Sequence, residues 1–328
     1  MHPLVARIHP SYRTALLAWF VTRALMWLTS AAAGHTALID LSAEGLARGG
    51  PAWSLVVHAA RALDGVSAVA GAGAGALALT VVAELTLLAA SIGVYRFVRR
   101  DQLPQTAERA TWLWAACPAM VWTLPVSDWT FAVSGVALAL WALSSSRHAL
   151  ATAALVVAMA FKPEAMLVWP GIAFLGIKNY SPGKQHAASP WLTALGPLAA
   201  FTGLVLLTMS LAGRWGVSLR TMQSGAAWRT SFEWQGPAAL APELLLLAAL
   251  AAGIWLAVAY FKQCPKSWPL MALPALAWPL LHQPPTSAAA AILIAVPFFA
   301  YLARATSDPT LERPVLAGFL GGLLLMVI

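Results

Sequence analysis

The sequence predicts an all-α protein that crosses a membrane many times. Of its 328 residues, 60% are hydrophobic and only 10% are charged, whereas an ordinary soluble domain has roughly 45–50% apolar and about 25% charged residues. Apolar segments of about 20 residues, long enough to cross roughly 30 Å of hydrocarbon, recur along the whole chain. No stretch is polar enough to form a separate soluble domain, so we interpret residues 1–328 as one polytopic domain.

Hydropathy places helices at about 14–34, 72–95, 110–125, 129–145, 149–161, 165–177, 190–212, 238–261, 268–281, 287–303 and 315–328. Several segments are too short to cross a bilayer directly, and broken helices are tolerated where they line a cavity. We therefore expect about nine to eleven transmembrane helices, with short outer-side helices and re-entrant segments. Two outer loops remain, one at about 35–70 with a possible interfacial helix and one at about 213–237.

The basic residues predict an orientation. With a cytoplasmic N-terminus, thirteen of the twenty basic residues fall on the inner side: Arg7, Arg13, Arg96, Arg99, Arg100, Arg109, Arg147, Lys178, Lys184, Lys262, Lys266, Arg304 and Arg313. An excess of Lys and Arg in cytoplasmic loops is the usual determinant of topology. The net charge of +8 therefore has a topological explanation, and no basic cluster with interleaved aromatic residues suggests nucleic acid as a partner.

Two charges do not fit a loop. Arg23 and Glu84 stand near the middle of the first and second predicted helices, where an unpaired charge costs about 2.5–3.5 kcal/mol or more. We expect them to pair with each other. The pair is interpreted first as a packing clasp between adjacent helices, and alternatively as part of a path for a lipid substrate.

The chain start and the cysteines indicate nothing unusual for a membrane protein. The first apolar segment begins near Thr14, and no small-residue cleavage site precedes the next polar loop, so we interpret it as a retained helix. Cys117 stands in an apolar run and Cys264 in a short polar loop. A disulfide framework is not expected from two cysteines in such different surroundings.

The segment ERATWLWAACPAMVWTLPVSDWTFAVSGVALALWAL, residues 108–143, resembles the multi-spanning glycosyltransferases of the GT-C superfamily. The similarity is to the PIG-V type, the second mannosyltransferase of glycosylphosphatidylinositol synthesis, and its prokaryotic relatives. In that family an apolar run leads to a proline, then to Tyr-Ser-Glu and another apolar helix. Here Pro118 and Val126-Ser127-Asp128 match those positions, with Asp128 in place of the glutamate.

Two further segments are similar to the same family. In ALVVAMAFKPEAMLVWPGIAFL, Lys162-Pro163 stands where the family has Arg-Pro, and lysine lacks the bidentate fork that suits phosphate best. In LAGRWGVSLRTMQSGAAWRTSFEWQGP, Gln223 and Trp228 match by spacing a Gln and a Trp of the family's outer loop.

The first outer loop departs from the family. Its pattern there is Trp-Asp, an aromatic pair and a Gly twelve residues after the Trp, and the Asp is the presumed catalytic base. Trp53 and Gly65 keep the separation and His58 falls where the Tyr would be, but Ser54 replaces the Asp. A serine cannot act as a base at neutral pH without an activating partner. The arginine of the family's later Arg-Tyr pair is missing too.

The resemblance implies an inverting transfer of a sugar, mannose first of all, from a polyprenyl-phosphate donor to a lipid-linked or exported acceptor. Such a reaction needs a carboxylate to accept the hydroxyl proton and cations to stabilise the leaving phosphate. Asp40 lies just past the first helix and Glu44 one helical turn later. Asp40 is the first candidate base, although a polar loop with an N-cap explains it as well. Asp128 and Glu164 are alternatives or supporting residues.

The cations of the second outer loop run against the topological rule. Arg214, Arg220 and Arg229, together with Lys162, either bind a lipid phosphate or anchor the protein to anionic headgroups. Tryptophans between them form an interfacial belt or stack on a sugar. No cofactor is expected from these residues, and a divalent cation is left open.

Two classes of function therefore compete. The first is a glycosyltransferase whose active site faces the periplasm of a bacterial cytoplasmic membrane, with a shifted base. The second is a non-catalytic relative that binds a lipid-linked sugar or assists a partner membrane protein. Ser54 favours the second, while Asp128, Lys162-Pro163 and the basic outer loop favour the first. A transporter ranks last, because the sequence shows no internal repeat of the kind that transporters often contain.

Overall fold

The computed structural model describes residues 10–32, 51–66, 73–124, 126–178, 188–215, 237–281 and 290–327. Within these ranges the chain is helical and contains no β-strand, which confirms the all-α prediction. The thirteen α-helices found there are α1 Pro10–Ala32, α2 Pro51–Val66, α3 Ala74–Asp101, α4 Pro104–Ala115, α5 Asp128–Ser144, α6 His148–Phe161, α7 Trp169–Lys178, α8 Ala188–Trp215, α9 Pro237–Ala259, α10 Ser267–Ala277, α11 Ala291–Ile294, α12 Val296–Ala305 and α13 Pro309–Val327.

Short 3₁₀ helices connect some of these elements, at Pro118–Thr123, Pro163–Val168 and Trp278–Leu281. Where the structure describes them, the predicted apolar segments fall mostly on helical structure, and α2 lies in the loop for which an interfacial helix was considered. The boundaries differ in places. For example, α3 continues to Asp101, and α8 continues to Trp215, past the predicted start of the second outer loop.

The predicted helix 110–125 is wrong in its second half. Proline lacks an N–H and disfavours helical backbone in the residue before it. Accordingly α4 ends at Ala115, Cys117 is extended with ψ 130°, and Pro118 opens the 3₁₀ helix Pro118–Thr123. The chain therefore enters α5 from a tight turn rather than directly from a long helix.

The predicted helix 287–303 is also broken, at the junction of α11 and α12. In a continuous helix the Leu293 carbonyl would accept a bond from the N–H of residue 297, but that residue is Pro297. The indole Nε1–H of Trp114 donates to the Leu293 carbonyl instead, at 2.9 Å. A side chain of α4 thus satisfies the carbonyl that the proline leaves free.

The centre of the bundle is α5, which packs against α3 on one side and α6 on the other. Small residues let these backbones approach closely. A Cβ added at Gly93 of α3 would lie 2.8 Å from the Ala137 carbonyl oxygen of α5, and one added at Gly135 would lie 2.8 Å from the Ala158 Cβ of α6. At either crossing a side chain larger than a hydrogen atom would overlap the neighbouring helix unless that helix shifted.

Gly75, the last residue of the GAGAG run 71–75, packs closely against another helix. A Cβ there would lie only 2.1 Å from the Ala60 carbonyl oxygen, so α2 rests directly on the start of α3. Gly73 has a different task, since its φ of 110° lies in the left-handed region that glycine adopts without strain.

Three connections meet at one side of the bundle. The Gln102 side chain, after α3, donates from Nε2 to Cys264 Sγ (3.7 Å) after α9, and its Oε1 accepts a bond from Arg304 Nη1 (2.7 Å) of α12. Lys178, at the end of α7, acts electrostatically on nearby Asp101. We call this side the basic end and define it by Arg99, Arg100, Lys178, Lys262, Lys266 and Arg304.

α4 starts beside Gln102 and leads away from the basic end, so the 3₁₀ helix that follows it and the start of α5 lie on the opposite side. α5 returns toward the basic end, and α6 leads back again to Lys162. We call this opposite side the Asp128 end, defined by Asp128, Lys162 and Glu164.

Two of the described helices are long and apolar enough to cross a membrane, by length and composition. They are Tyr12–Ala32 and Ala74–Asp101, of which about a third and 44% of the most apolar window is buried inside the molecule. Shorter apolar helices include residues 128–144 and 148–161.

Candidate functional site at the Asp128 end

The structure brings together Asp128 and Lys162, two of the residues predicted for the site. Asp128 is the first residue of α5, and Lys162 directly follows the last residue of α6. Lys162 Nζ lies 2.8 Å from Asp128 Oδ2, and the two side chains are 18% and 11% exposed. An ion pair this sheltered from water is screened less than one on an open surface.

The local sequence explains the position of Asp128. Ser127 is the N-cap of α5, and its backbone N–H donates to the Thr130 hydroxyl at 3.2 Å. The Ser127 hydroxyl donates back to the Trp122 carbonyl oxygen at 2.8 Å. Asp128 therefore places its carboxylate at the positive end of the α5 dipole, where negative charge is favoured. Its Oδ1 accepts the Trp129 N–H at 2.8 Å.

Lys162 lies among groups that favour its charged form. Its ammonium is 5.4 Å from the centre of the Trp129 ring, within range of a cation–π contact. Burial disfavours the ammonium, but the carboxylates of Asp128 and Glu164 outweigh this effect, and the pKa of Lys162 is raised. The lysine is therefore a fixed positive charge throughout the neutral range.

Glu164 contributes a carboxylate whose bonding is incomplete. It lies in the first turn of the 3₁₀ helix Pro163–Val168 and is partly buried. Its Oε2 is shielded from solvent and has no hydrogen-bond partner among the described residues. A buried acceptor without a partner is uncommon in folded proteins. Glu164 Oε2 is thus a carboxylate oxygen at this end that can still accept a hydrogen bond.

A second ion pair lies between α1 and α3. Arg23, 5% exposed, places Nε 3.0 Å from each carboxylate oxygen of Glu84 and Nη2 2.5 Å from Oε1. The Trp27 indole also donates to Glu84 Oε1, at 3.0 Å. The structure thus pairs the two charges that stood in the middle of predicted apolar helices.

Arg23 also reaches the turn that precedes α5. Its Nη1 donates to the Thr123 hydroxyl at 2.8 Å and its Nη2 to the Thr123 carbonyl at 3.4 Å. The same carbonyl accepts the Thr130 hydroxyl at 3.5 Å. Hydrogen bonds therefore lead from Glu84, through Arg23 and Thr123, to the residues that cap α5.

A cleft borders Arg23 between α1, α3 and α4. It has an accessible volume of about 10 Å³ and is lined by Trp19, Thr22, Arg23, Leu87, Ser91, Trp114, Ala115 and Met120. A volume of this size holds about one water molecule. The described side chains around this cleft therefore leave no room for a lipid-linked sugar.

The residues of the first outer loop that the structure describes lie on α2. Trp53 is buried, and its ring packs 6.3 Å from that of Phe131 on α5, which brings α2 close to the Asp128 end. His58 is exposed, and its Nδ1 lies 2.7 Å from the Ser54 carbonyl oxygen one turn earlier. Ser54, in the position where the resembled family has its acid, therefore stands inside a helix.

Several predicted site residues lie outside the part of the chain that the structure describes. Asp40 and Glu44 precede α2, and the residues of the second outer loop that lie there are Arg220, Gln223, Trp228 and Arg229. The backbone of Arg214 belongs to the last turn of α8. Of the predicted site residues, the structure thus describes Asp128, Lys162, Glu164, His58 and the Arg23–Glu84 pair.

The described residues contain no group of three or more His, Cys, Asp or Glu side chains arranged to hold a metal ion. Both cysteines are free thiols and are buried.

Thr123 and Trp27 take part in the polar contacts but were not predicted. Each is a single polar group in an apolar run, and Thr123 bonds to a residue 100 positions earlier. Neither spacing nor hydropathy carries a signal for such a contact.

Comparison with protein-family models, with curated proteins and with solved structures finds no match for the chain.

Proposed function

We propose that the chain is a polytopic protein of a bacterial cytoplasmic membrane, with its basic end in the cytoplasm and its Asp128 end facing outward. Two helices have the length and composition for a span. Large apolar side chains are also exposed on many helices, among them Phe20, Leu28, Leu85, Val157, Trp191, Leu195, Trp255, Val258 and Leu311. Surfaces of this kind mark contact with lipid or with another protein. The exposed cations of the basic end support the cytoplasmic assignment.

For the activity, we propose a GT-C-like sugar transfer from a polyprenyl-phosphate donor, with mannose as the first sugar to test. The observation that carries this proposal is the ion pair of Asp128 and Lys162 at 2.8 Å. The resemblance assigned an acid and a cation of the site to two separate segments of the sequence. Their contact at one end of the bundle is what a shared site requires.

The proposed reaction needs a carboxylate to take a proton and a cation to stabilise the leaving phosphate. The acceptor hydroxyl attacks the anomeric carbon, the bond from that carbon to the donor phosphate oxygen breaks, and the leaving polyprenyl phosphate keeps the electron pair. A carboxylate takes the hydroxyl proton, with Asp40, Asp128, Glu44 and Glu164 as candidates. Lys162 supplies a fixed positive charge for the leaving phosphate. Arg214, Arg220 and Arg229 are further candidates for the phosphate, and His58, Gln223 and Trp228 for the sugar.

A second function is favoured by two observations. Ser54 brings no carboxylate to the position where the family has its presumed base, and Lys162 already holds the Asp128 carboxylate. A protein with this site can bind a lipid-linked sugar, or support a partner glycosyltransferase in the membrane, without catalysing transfer itself.

The experiment that separates the two functions uses purified full-length protein in lipid nanodiscs with polyprenyl-phosphate mannose and an acceptor lipid. Under the first proposal, wild type transfers sugar and Asp40→Asn or Asp128→Asn lowers the rate by about 10²–10⁴-fold. Asp308→Asn, at an exposed acid near the basic end, is the matched control and keeps the wild-type rate.

Undiminished transfer by both Asp40→Asn and Asp128→Asn would contradict the proposed acids. Binding of the donor by wild type with no transfer of any sugar would instead favour the non-catalytic function.

A further inference from the structure

The buried pair of Arg23 and Glu84 holds more than the two helices that carry it. An ion pair that only joined α1 to α3 would gain little, since replacing a buried ion pair by apolar residues of similar volume is often neutral or stabilising. Arg23 also directs Nη1 and Nη2 to the hydroxyl and the carbonyl of Thr123, at 2.8 and 3.4 Å. A clasp between α1 and α3 would not need these two bonds.

Thr123 is a suitable point of attachment. It is fully buried, it ends the 3₁₀ helix Pro118–Thr123, and its hydroxyl also donates to the Met120 carbonyl at 2.7 Å. We call the described residues between it and α5, namely Leu124, Val126 and Ser127, the Asp128 turn. A short 3₁₀ helix has few internal hydrogen bonds of its own, so external bonds contribute much of its fixed position.

The contacts continue without a break to the candidate site. The Thr123 carbonyl accepts the Thr130 hydroxyl, and the Thr130 hydroxyl accepts the Ser127 N–H. Ser127 is the N-cap of α5, and the next residue, Asp128, pairs with Lys162. Three helices and one turn are thereby joined through polar groups at the same side of the bundle.

We propose that Arg23 and Glu84 are positioning residues that fix the Asp128 turn through Thr123. Glu84 orients the guanidinium, the guanidinium holds Thr123, and Thr123 sets the entry of the chain into α5. The inference deepens the proposed function and partly rests on it, because the consequence for activity requires that the Asp128 end is the site.

The test compares variants of Thr123 with a matched control on the neighbouring helix. Thr123→Val removes the hydroxyl and leaves the Arg23–Glu84 pair in place, while Thr123→Ser keeps the hydroxyl. Thr111→Val is the control, because Thr111 is also fully buried and its hydroxyl donates only to the Ala107 carbonyl of its own helix.

The first measurement does not depend on activity. Leu124 is partly buried against the core beside Thr123. A Leu124→Cys substitution, made in a protein with Cys117→Ala and Cys264→Ala, therefore provides one thiol as a reporter. This thiol reacts slowly with a maleimide while the Asp128 turn is held in place. We expect Thr123→Val to raise the labelling rate at least about threefold, and Thr123→Ser and Thr111→Val to leave it unchanged. Equal rates in folded Thr123→Val and Thr111→Val would overturn the proposal.

The second measurement is the sugar transfer itself. Misplaced catalytic groups lower the rate of the chemical step more than substrate binding, so Thr123→Val is expected to lower kcat by about 10- to 100-fold with KM changed less than about twofold, and Thr123→Ser to restore it. Should Thr123→Val fail to fold, Glu84→Gln, which alters the pair without touching the turn, is expected to raise the labelling rate as well. Unchanged labelling in Glu84→Gln would then count against the proposal.

If wild type transfers no sugar, the proposed enzymatic function fails, and the labelling rates still decide whether the pair positions the turn.

Discussion

The two ends of the helix bundle hold their cations differently. At the basic end, Arg304 donates to the neutral side chains of Gln102 and Gln263 and lies 5.4 Å from the centre of the Tyr260 ring. Most other cations there are exposed. Toward the Asp128 end, Lys162 and Arg23 each contact a carboxylate at 2.5–2.8 Å and are shielded from solvent.

The difference follows from solvation. An exposed ammonium or guanidinium is stabilised by water and is free to move, so the cations of the basic end other than Arg304 carry their charge without fixing a geometry. A buried cation requires a counter-charge at a defined distance. The Asp128 end is therefore the part of the molecule in which charge and shape are coupled, as a site requires.

The largest expected effect is the loss of stability when a buried, paired cation is removed, compared with the loss when an exposed cation of the basic end is removed. Arg23→Met should lower the free energy of unfolding by about 3–5 kcal/mol, because the Glu84 carboxylate is left buried without a partner. Lys262→Met, at an exposed cation of the basic end, should cost under about 1 kcal/mol. Thermal unfolding in detergent micelles measures both, and similar losses would contradict the contrast between the ends.

The next effect concerns backbone contact beside the Asp128 end. Gly75→Ala should destabilise the protein by about 1–3 kcal/mol, because its Cβ would overlap the Ala60 carbonyl and push α2 off α3. Gly318→Ala is the control, since among the described residues no heavy atom outside the backbone of its own helix turn lies within 4 Å of the added Cβ there. A loss of stability in Gly318→Ala as large as in Gly75→Ala would show that the contact with Ala60 does not set the effect.

A smaller effect compares two ion pairs whose carboxylates differ in exposure. A double-mutant cycle on Asp128 and Lys162 should give a coupling energy of about 1–3 kcal/mol, as for other hydrogen bonds to charged groups that are shielded from water. The pair of Arg109 and Glu312, whose glutamate is 35% exposed, should give about 0–1 kcal/mol. Raising the salt concentration should weaken the second coupling more than the first. Equal coupling energies for the two ion pairs would contradict the expected effect of solvent exposure.

The smallest effect is the pH dependence of the Lys162 pair. Because the folded protein raises the pKa of Lys162 above its unfolded value, the pair stabilises the fold fully below about pH 10.4 and loses this contribution as the pH rises through the higher folded pKa. The gap in unfolding temperature between wild type and Lys162→Met should thus be constant from pH 7 to 9 and shrink in strong alkali. The exposed Lys266→Met variant serves as the control. A gap that shrinks below about pH 9 would contradict the raised pKa.

The sequence predicted helix boundaries best where polar residues flank an apolar run. Residues 129–145 and 149–161 were predicted within a residue or two of α5 and α6, because Ser127-Asp128, Ser144–Arg147 and Lys162-Pro163 interrupt the apolar pattern. It failed at Pro118, which stands inside an apolar run, so that hydropathy alone gives no sign that the helix stops there.

The polar residues of the candidate site can be picked out from the sequence, but their contacts cannot. Arg23 and Glu84 were expected to pair because each is a lone charge in an apolar helix and neither had another partner. The bonds to Thr123 had no such signal, since threonine is tolerated in apolar helices and its hydroxyl often bonds to its own backbone. The distance of 2.8 Å between Lys162 and Asp128 likewise depends on how α5 and α6 cross.

The bond between the Trp114 indole and the Leu293 carbonyl sets an order of events during synthesis. The two residues are 179 positions apart, and a chain is made from its N-terminus. Until the ribosome has released the segment with Pro297, the indole N–H has no such acceptor, and α4 lacks its contact with α12. A nascent chain halted before residue 290 would therefore expose an unsatisfied donor and an uncovered apolar helix face, and exposed apolar surface of this kind is what chaperones protect. The segment from residue 290 onward is thus the part that covers α4.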